Sequence, residues 1–295
     1  MSNILFDAPG PRARARHRLL AVLGILVLVA IVAYIGWRFY DSGQFTARKW
    51  EWIQYTKIQE DLVAAVLATL QAFALGAVLA LVFGAIFAAG RLSEHRPVRL
   101  VSGFVVELFR AIPLLILMFL FYYGMPTIGI SMSPYMAVVL GLMLYNGSVL
   151  AEVFRAGIQA LPRGQAEAAY ALGMRKTQVT VLILLPQALR SMMPTIISQL
   201  VVLLKDTALG FLITYEELLR FAQRIGGDGL FSRPFVPTAL VVAAIYIGLC
   251  LLLTWFANYL QKRERRSKKH IDLEGGGERA KQVVIAGDAG GGGAA

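Results

Sequence analysis

The chain has 295 residues, 57% of them hydrophobic and only 16% charged, with a mean hydropathy of +0.63. A soluble domain carries about 25% charged residues, so this composition excludes an ordinary soluble protein and places the chain in the membrane class. The formal net charge is +11, which in a membrane protein marks cytoplasmic loops rather than a nucleic-acid surface. The single Cys250 excludes a disulfide framework or a cysteine metal site within the chain.

A membrane-spanning helix needs about 20 mostly apolar residues. Six stretches qualify: 19–40, 60–90, 100–123, 134–156, 186–206 and 235–260. The fold class expected is therefore all-α, a polytopic membrane protein with six transmembrane helices, one N-terminal and five forming a core. Arg12, Arg14, Arg16 and Arg18 precede the first stretch. That stretch is too long for a signal-peptide core and lacks a small-residue cleavage site, so it reads as a retained span. The second stretch is longer than the hydrocarbon requires and should tilt or project into water. Pro194 should kink the fifth. Between the fifth and sixth, TYEELLRFAQR (214–224) reads as a short amphipathic outer helix.

Orientation follows from the basic residues. With the N-terminus inside, the cytoplasmic pieces carry nineteen Lys and Arg against seven on the outer pieces, which favours both termini in the cytoplasm. KRERRSKK (262–269) directly follows the last span and reads as a stop signal held at anionic lipid, not as a nucleic-acid patch. The Gly- and Ala-rich remainder has no periodicity and should be disordered. The organisation expected is thus a cytoplasmic N-terminus (1–18), a first span with its outer loop (19–58), a core (59–262) and a cytoplasmic tail (263–295).

The chain holds no G-x-x-x-x-G-K-[ST], H-E-x-x-H or G-x-S-x-G sequence. Nothing pairs a nucleophile with a base, so no enzyme activity is expected. His17, His95 and His270 are far apart, so no metal cluster and no cofactor is expected. If the protein uses ATP, a partner must bind it.

Between the fourth and fifth spans lies GIQALPRGQAEAAYALGMRKTQVTVLILLP. Pro162 and Gly164 break the preceding helix. Residues 163–175 then form a short helix of strong helix formers, with Glu167 in the first turn, where negative charge complements the helix dipole. Gly173 can end it, and Pro186 suits the first turn of the fifth span. Ala166, Ala169 and Gly173 recur at helical spacing on one face. A small-residue face lets a backbone approach another surface closely. An interfacial helix would want a wide apolar stripe, and Tyr170, Leu172 and Met174 do not form one, so a docking helix fits better.

At these residues the chain resembles the permease subunits of bacterial ABC importers. Their signature is E-A-A, three residues, G, nine residues, I-x-L-P. Glu167, Ala168, Ala169, Gly173, Ile183, Leu185 and Pro186 keep every spacing. VVELFRAIPLLILMFLFYYG, LPQALR and LLKDTALG extend the resemblance to the polar amino-acid branch over residues 60–262. LFDAPGPRARAR and the additional first span resemble the actinobacterial glutamate permeases. The resemblance implies that the 163–175 helix docks in a groove of a separate ATP-binding subunit, with Glu167, Ala168, Ala169 and Gly173 as coupling residues. It also implies a second permease subunit, identical or related, an extracytoplasmic substrate-binding protein, and a place in the bacterial cell membrane. The substrate expected is an amino acid, glutamate first, with glutamine, arginine, histidine or cystine as alternatives. A passive channel or structural membrane protein is the rival class.

Charges inside spans are rare and face a cavity or a partner. Glu107 and Arg110, and again Glu152 and Arg155, stand three apart on one helix face. Such a pair can neutralise itself and hold helices together. Alternatively Asn146, Ser148, Glu152 and Arg155 line a substrate path, with Glu152 accepting from an ammonium and Asn146 or Arg155 donating to a carboxylate. Gln199 can face the same path. Lys205 and Asp206, near the outer end, suit a gate, an interhelical contact or a substrate ligand.

Overall fold

The computed structural model describes residues 10–259 and 261. Among these residues every regular element is helical and no strand is present. The long helices are α1 (Pro11–Asp41), α2 (Thr56–Arg91), α5 (Pro134–Gln159), α7 (Lys176–Ile213) and α9 (Phe235–Tyr259), each long and apolar enough to cross a membrane. Between them lie α3 (Arg96–Ala111), α4 (Leu114–Ile128), α6 (Arg163–Ala171) and α8 (Leu218–Gly226). The all-helical, polytopic architecture is as expected. The stretch 262–295, which holds the basic run and the tail, lies outside the described residues, as do residues 1–9.

The expected span 100–123 is not one rod. Helices α3 and α4 meet at 97°. Pro113 is the cause: it has no N–H to donate and fixes its own φ, here −56°. It also pushes Ile112 out of the helical region, to φ −86° and ψ 125°. An apolar run with one proline is a membrane segment by composition and a corner by stereochemistry.

The fifth expected span also differs. Helix α7 begins ten residues earlier than 186, at Lys176. Residues Val179–Leu184 are wound as π-helix, and Pro186, which cannot donate to the Leu182 carbonyl, accounts for the wider turn. The α-helical part then continues through Pro194 to Asp206.

The chain divides into two compact units, Met1–Gln59 with Ala222–Leu240, and Glu60–Phe221 with Val241–Ala295. The sequence reading divides the chain at 58/59 and keeps 222–240 within its 59–262 core. In the first unit no residue of α1 is buried, the Trp50 indole donates to the Gln44 carbonyl at 3.1 Å, and the Tyr55 and Phe231 rings meet edge-on.

The second unit carries the core. Ala65, Thr69, Ala72, Gly76, Ala80, Gly84 and Ala88 form a small-residue stripe down α2, all buried. Such stripes let helix backbones approach closely where lipid supplies no hydrophobic drive. At Gly84 a Cβ would lie 2.9 Å from the Leu150 Cβ and 3.1 Å from the Gly147 carbonyl oxygen of α5, so only glycine fits this crossing. Ser133 caps α5 by accepting from the Met136 N–H at 3.2 Å, and Pro134 sits at its first position. Helix α5 then packs along α7, α3 and α4, around Leu142, Met118, Phe154, Met192 and Leu203.

Candidate functional site

Helix α6 ends in a Schellman motif. The Met174 N–H donates to the Ala169 carbonyl at 3.2 Å and the Gly173 N–H to the Tyr170 carbonyl at 2.9 Å. Gly173 has φ +78°, where an L side chain is disfavoured, so it ends the helix as its place in the sequence suggested. The helix spans Arg163–Ala171, inside the expected 163–175.

Two of the three residues of the small-residue face are turned inward. Ala169 is buried and Ala166 half-buried, against the π-helical start of α7, where Val179 is fully buried. Gln187 Nε2 adds a 3.4 Å hydrogen bond to Gln165 Oε1. The close approach that alanines permit is thus made to this chain's own α7, which corrects the reading of that face as the outward docking surface. Glu167, Ala168 and Gly173 are exposed. So are Tyr170 and Leu172, at 47% and 84%. Sequence reasoning passed over these two because they form no stripe.

The intramembrane polar residues form two groups. In the first, Asn146 is fully buried. Its Nδ2 donates to Asp206 Oδ2 at 3.2 Å and its Oδ1 accepts from Gln199 Nε2 at 2.7 Å. The trio ties α5 to α7, so of the three roles open to Asp206 the structure shows the interhelical contact. Ser148 is also fully buried, and its Oγ has no hydrogen-bond partner.

The second group joins both Glu–Arg pairs through Arg91, which the sequence reading missed. One Arg91 nitrogen lies 3.1 Å from Glu107 Oε1 and 3.1 Å from Glu152 Oε2. Glu107 also meets Arg110 at 3.4 Å. Arg155 forks onto Glu152 through Nε, at 3.0 Å, and Nη2, and reaches Gln159 with Nη1. Three guanidiniums thus hold two carboxylates across α2, α3 and α5. Both oxygens of Glu152 are engaged by arginine, which leaves it a poor free acceptor for a substrate ammonium and matches the helix-holding alternative. Among the described residues the Asn146 trio and the Arg91 cluster share no hydrogen bond or ion pair.

Outside the spans, Glu217 is fully buried just before α8. Its oxygens accept from the Leu219 N–H at 2.8 Å, the Arg220 N–H at 2.7 Å and the Tyr246 hydroxyl at 2.7 Å. Burial pushes its carboxyl up to about 7, against the pull of these donors. Burial likewise pushes Tyr215, whose hydroxyl donates to the Ala68 carbonyl at 2.7 Å, up to about 12. Lys176 holds Glu94 below the ordinary carboxylate range by a hydrogen bond and by its charge. Among the described residues no group of His, Cys, Asp or Glu could hold a metal.

Residues 80–266 match the family described as binding-protein-dependent transport system inner membrane component. The chain belongs to this family. It is 40% identical over 242 residues to the glutamate transport system permease protein GluD of Corynebacterium glutamicum, covering 78% of this chain and 85% of that protein. It is 33% identical to the L-cystine transport system permease protein TcyB of Bacillus subtilis, over 66% of this chain and 81% of the relative. A crystal structure of an amino acid ABC transporter with histidines superposes with a TM-score of 0.65 at 27% identity, over 72% of this chain and 98% of that one. The resemblance to permease subunits of polar amino-acid ABC importers is borne out, and the chain is such a membrane-spanning transport component.

Proposed function

We propose that the chain forms the translocation path of an ATP-driven glutamate importer and couples it, through α6, to a separate ATP-binding subunit. The observation that carries the coupling is the build of α6. It is a short, capped helix seated on the start of α7, with Glu167, Ala168, Tyr170 and Leu172 presented outward. The match to a glutamate permease supports the substrate. Both termini lie in the cytoplasm of a bacterial cell, and α6 with them. A second permease subunit completes the path, because each ATPase groove takes one such helix, and an extracytoplasmic binding protein delivers the amino acid. Nucleotide-driven movement of α6 then reorients the spans from outward- to inward-facing.

The test is co-purification together with uptake. An ATPase subunit should be retained by the wild type and lost on Glu167→Arg, an exposed position whose change leaves the fold intact. Deletion of the gene should abolish ATP-dependent uptake of radiolabelled glutamate. Unchanged glutamate uptake removes the substrate reading. Failure of wild type and variant alike to retain an ATPase removes the coupling reading.

A further inference from the structure

A cavity of about 710 Å³ opens at the α6 end of the second unit, and none of the residues of the two polar groups described above lines it. Its deep wall is apolar, formed by Ala85, Ala88, Phe154, Ile158, Leu185 and Leu189. Its rim is polar and comes from the loop Ser93–His95 after α2 and from Lys176–Thr177, the first residues of α7. The apolar wall is continuous with exposed residues of the same helices: Val82 and Ile86 of α2, and Val181 and Leu182 of α7, are 49–62% exposed. The cavity is therefore open to hydrocarbon on one side and to water at its rim.

The charge of the rim is one-sided. Its single carboxylate, Glu94, is held by Lys176 Nζ at 2.7 Å. His95 also lies on the rim, and Arg96, Arg99 and Arg175, close to the rim residues in sequence, are exposed. Arg99 is drawn onto the rim by a 3.5 Å bond from Nη1 to the Ser93 carbonyl. An occupant with an apolar chain for the wall and a negative group for the rim meets both halves of this surface.

We infer that this cavity is a binding site for an anionic phospholipid of the leaflet at the α6 end. An acyl chain lies along Ala85, Phe154 and Leu189, and the phosphate lies over the rim between Arg99 and Lys176. The rim residues Lys176 and Thr177 immediately precede the segment on which α6 is seated, so the lipid braces the base of that helix against the α2–α3 loop.

The assignment is tested on the full chain in its assembled complex, reconstituted in phosphatidylcholine bilayers with photoactivatable phosphatidylglycerol or photoactivatable phosphatidylcholine. No nucleotide or substrate is needed, so the outcome is independent of the proposed transport reading. Phosphatidylglycerol should label peptides spanning Ala85–Ala89 and Val181–Leu189. Each basic residue at a membrane surface is worth roughly fivefold in anionic-lipid affinity, so the double variant Arg99→Gln/Lys176→Gln should lower that labelling roughly tenfold or more. Ala89→Phe, at an exposed position lining the cavity, should fill it and abolish labelling by both lipids. Equal labelling of the wild type by the two lipids overturns the headgroup assignment. Absence of label from these peptides overturns the site and points to a protein occupant.

Discussion

The buried carboxyl of Glu217 makes a quantitative prediction. In an unfolded chain a glutamate ionises near 4.5, whereas here burial raises it to about 7. Because the folded state holds the proton more tightly, stability is greatest below about pH 4.5, where both states are protonated. It falls as pH rises through the window from 4.5 to 7, and the loss is complete above 7. At ~1.36 kcal/mol per pKa unit the ionised form costs the folded state about 3 kcal/mol. The assay is thermal unfolding of the purified protein followed by intrinsic fluorescence from pH 5 to 8. Wild type should lose several degrees more than Glu217→Gln, which is neutral throughout, and the gap should grow with pH. Tyr246→Phe removes the 2.7 Å hydroxyl donor that favours the ionised form and should move the wild-type window upward. Parallel profiles for wild type and Glu217→Gln would refute the argument, since they would mean that the carboxyl does not titrate in this range.

Other substitutions test the packing and the polar groups. Gly84→Ala places a Cβ against backbone atoms of α5, which cannot move aside as a side chain can, and should cost about 1–3 kcal/mol in thermal or denaturant unfolding. Arg91→Met removes the bridge between Glu107 and Glu152. A double-mutant cycle with Glu107→Gln should show a coupling of at least about 0.5 kcal/mol, and additivity would mean that the 3.1 Å contact is energetically silent. Asn146→Leu leaves Asp206 without its 3.2 Å donor and Gln199 without its acceptor, and should lower stability by about 1–3 kcal/mol. Asn146→Asp, which sets a carboxylate against Asp206, should be worse.

The spans were legible because bilayer thickness imposes a length that composition alone reveals. The break at Ile112–Pro113 was not, because hydropathy averages over a proline that acts through one missing N–H and one restricted neighbour. The end of α6 was legible at Gly173, where backbone conformation demands a residue type. The direction of its alanine face was not, because spacing says that Ala166 and Ala169 share a side without saying what covers it. Glu107–Arg110 and Glu152–Arg155 were visible as local i, i+3 pairs. Arg91, which joins them, is 16 residues from one and 61 from the other, and nothing local signals a contact made by three helices. Glu217 was hidden for a related reason: its donors combine two neighbouring amides with a tyrosine 29 residues away.

On the proposed function, the seating of α6 has a mechanical consequence. Helix α7 is 38 residues long, roughly 55 Å at ~1.5 Å per residue, and it carries the α6 seat at one end and Asp206 near the other. A helix held along its length moves as a body rather than bending at each turn, so a push on α6 arrives at Asp206 as displacement of α7. Helix α5 cannot stay behind, because the Asn146 trio grips α7 and residues of the two helices share one buried core. The Arg91 cluster in turn ties α5 to α2 and α3. Of the polar residues that the sequence offered as substrate ligands, Asn146 and Gln199 tie α5 to α7, and Glu152 ties α5 to α2 through Arg91, so these three make the helices move together.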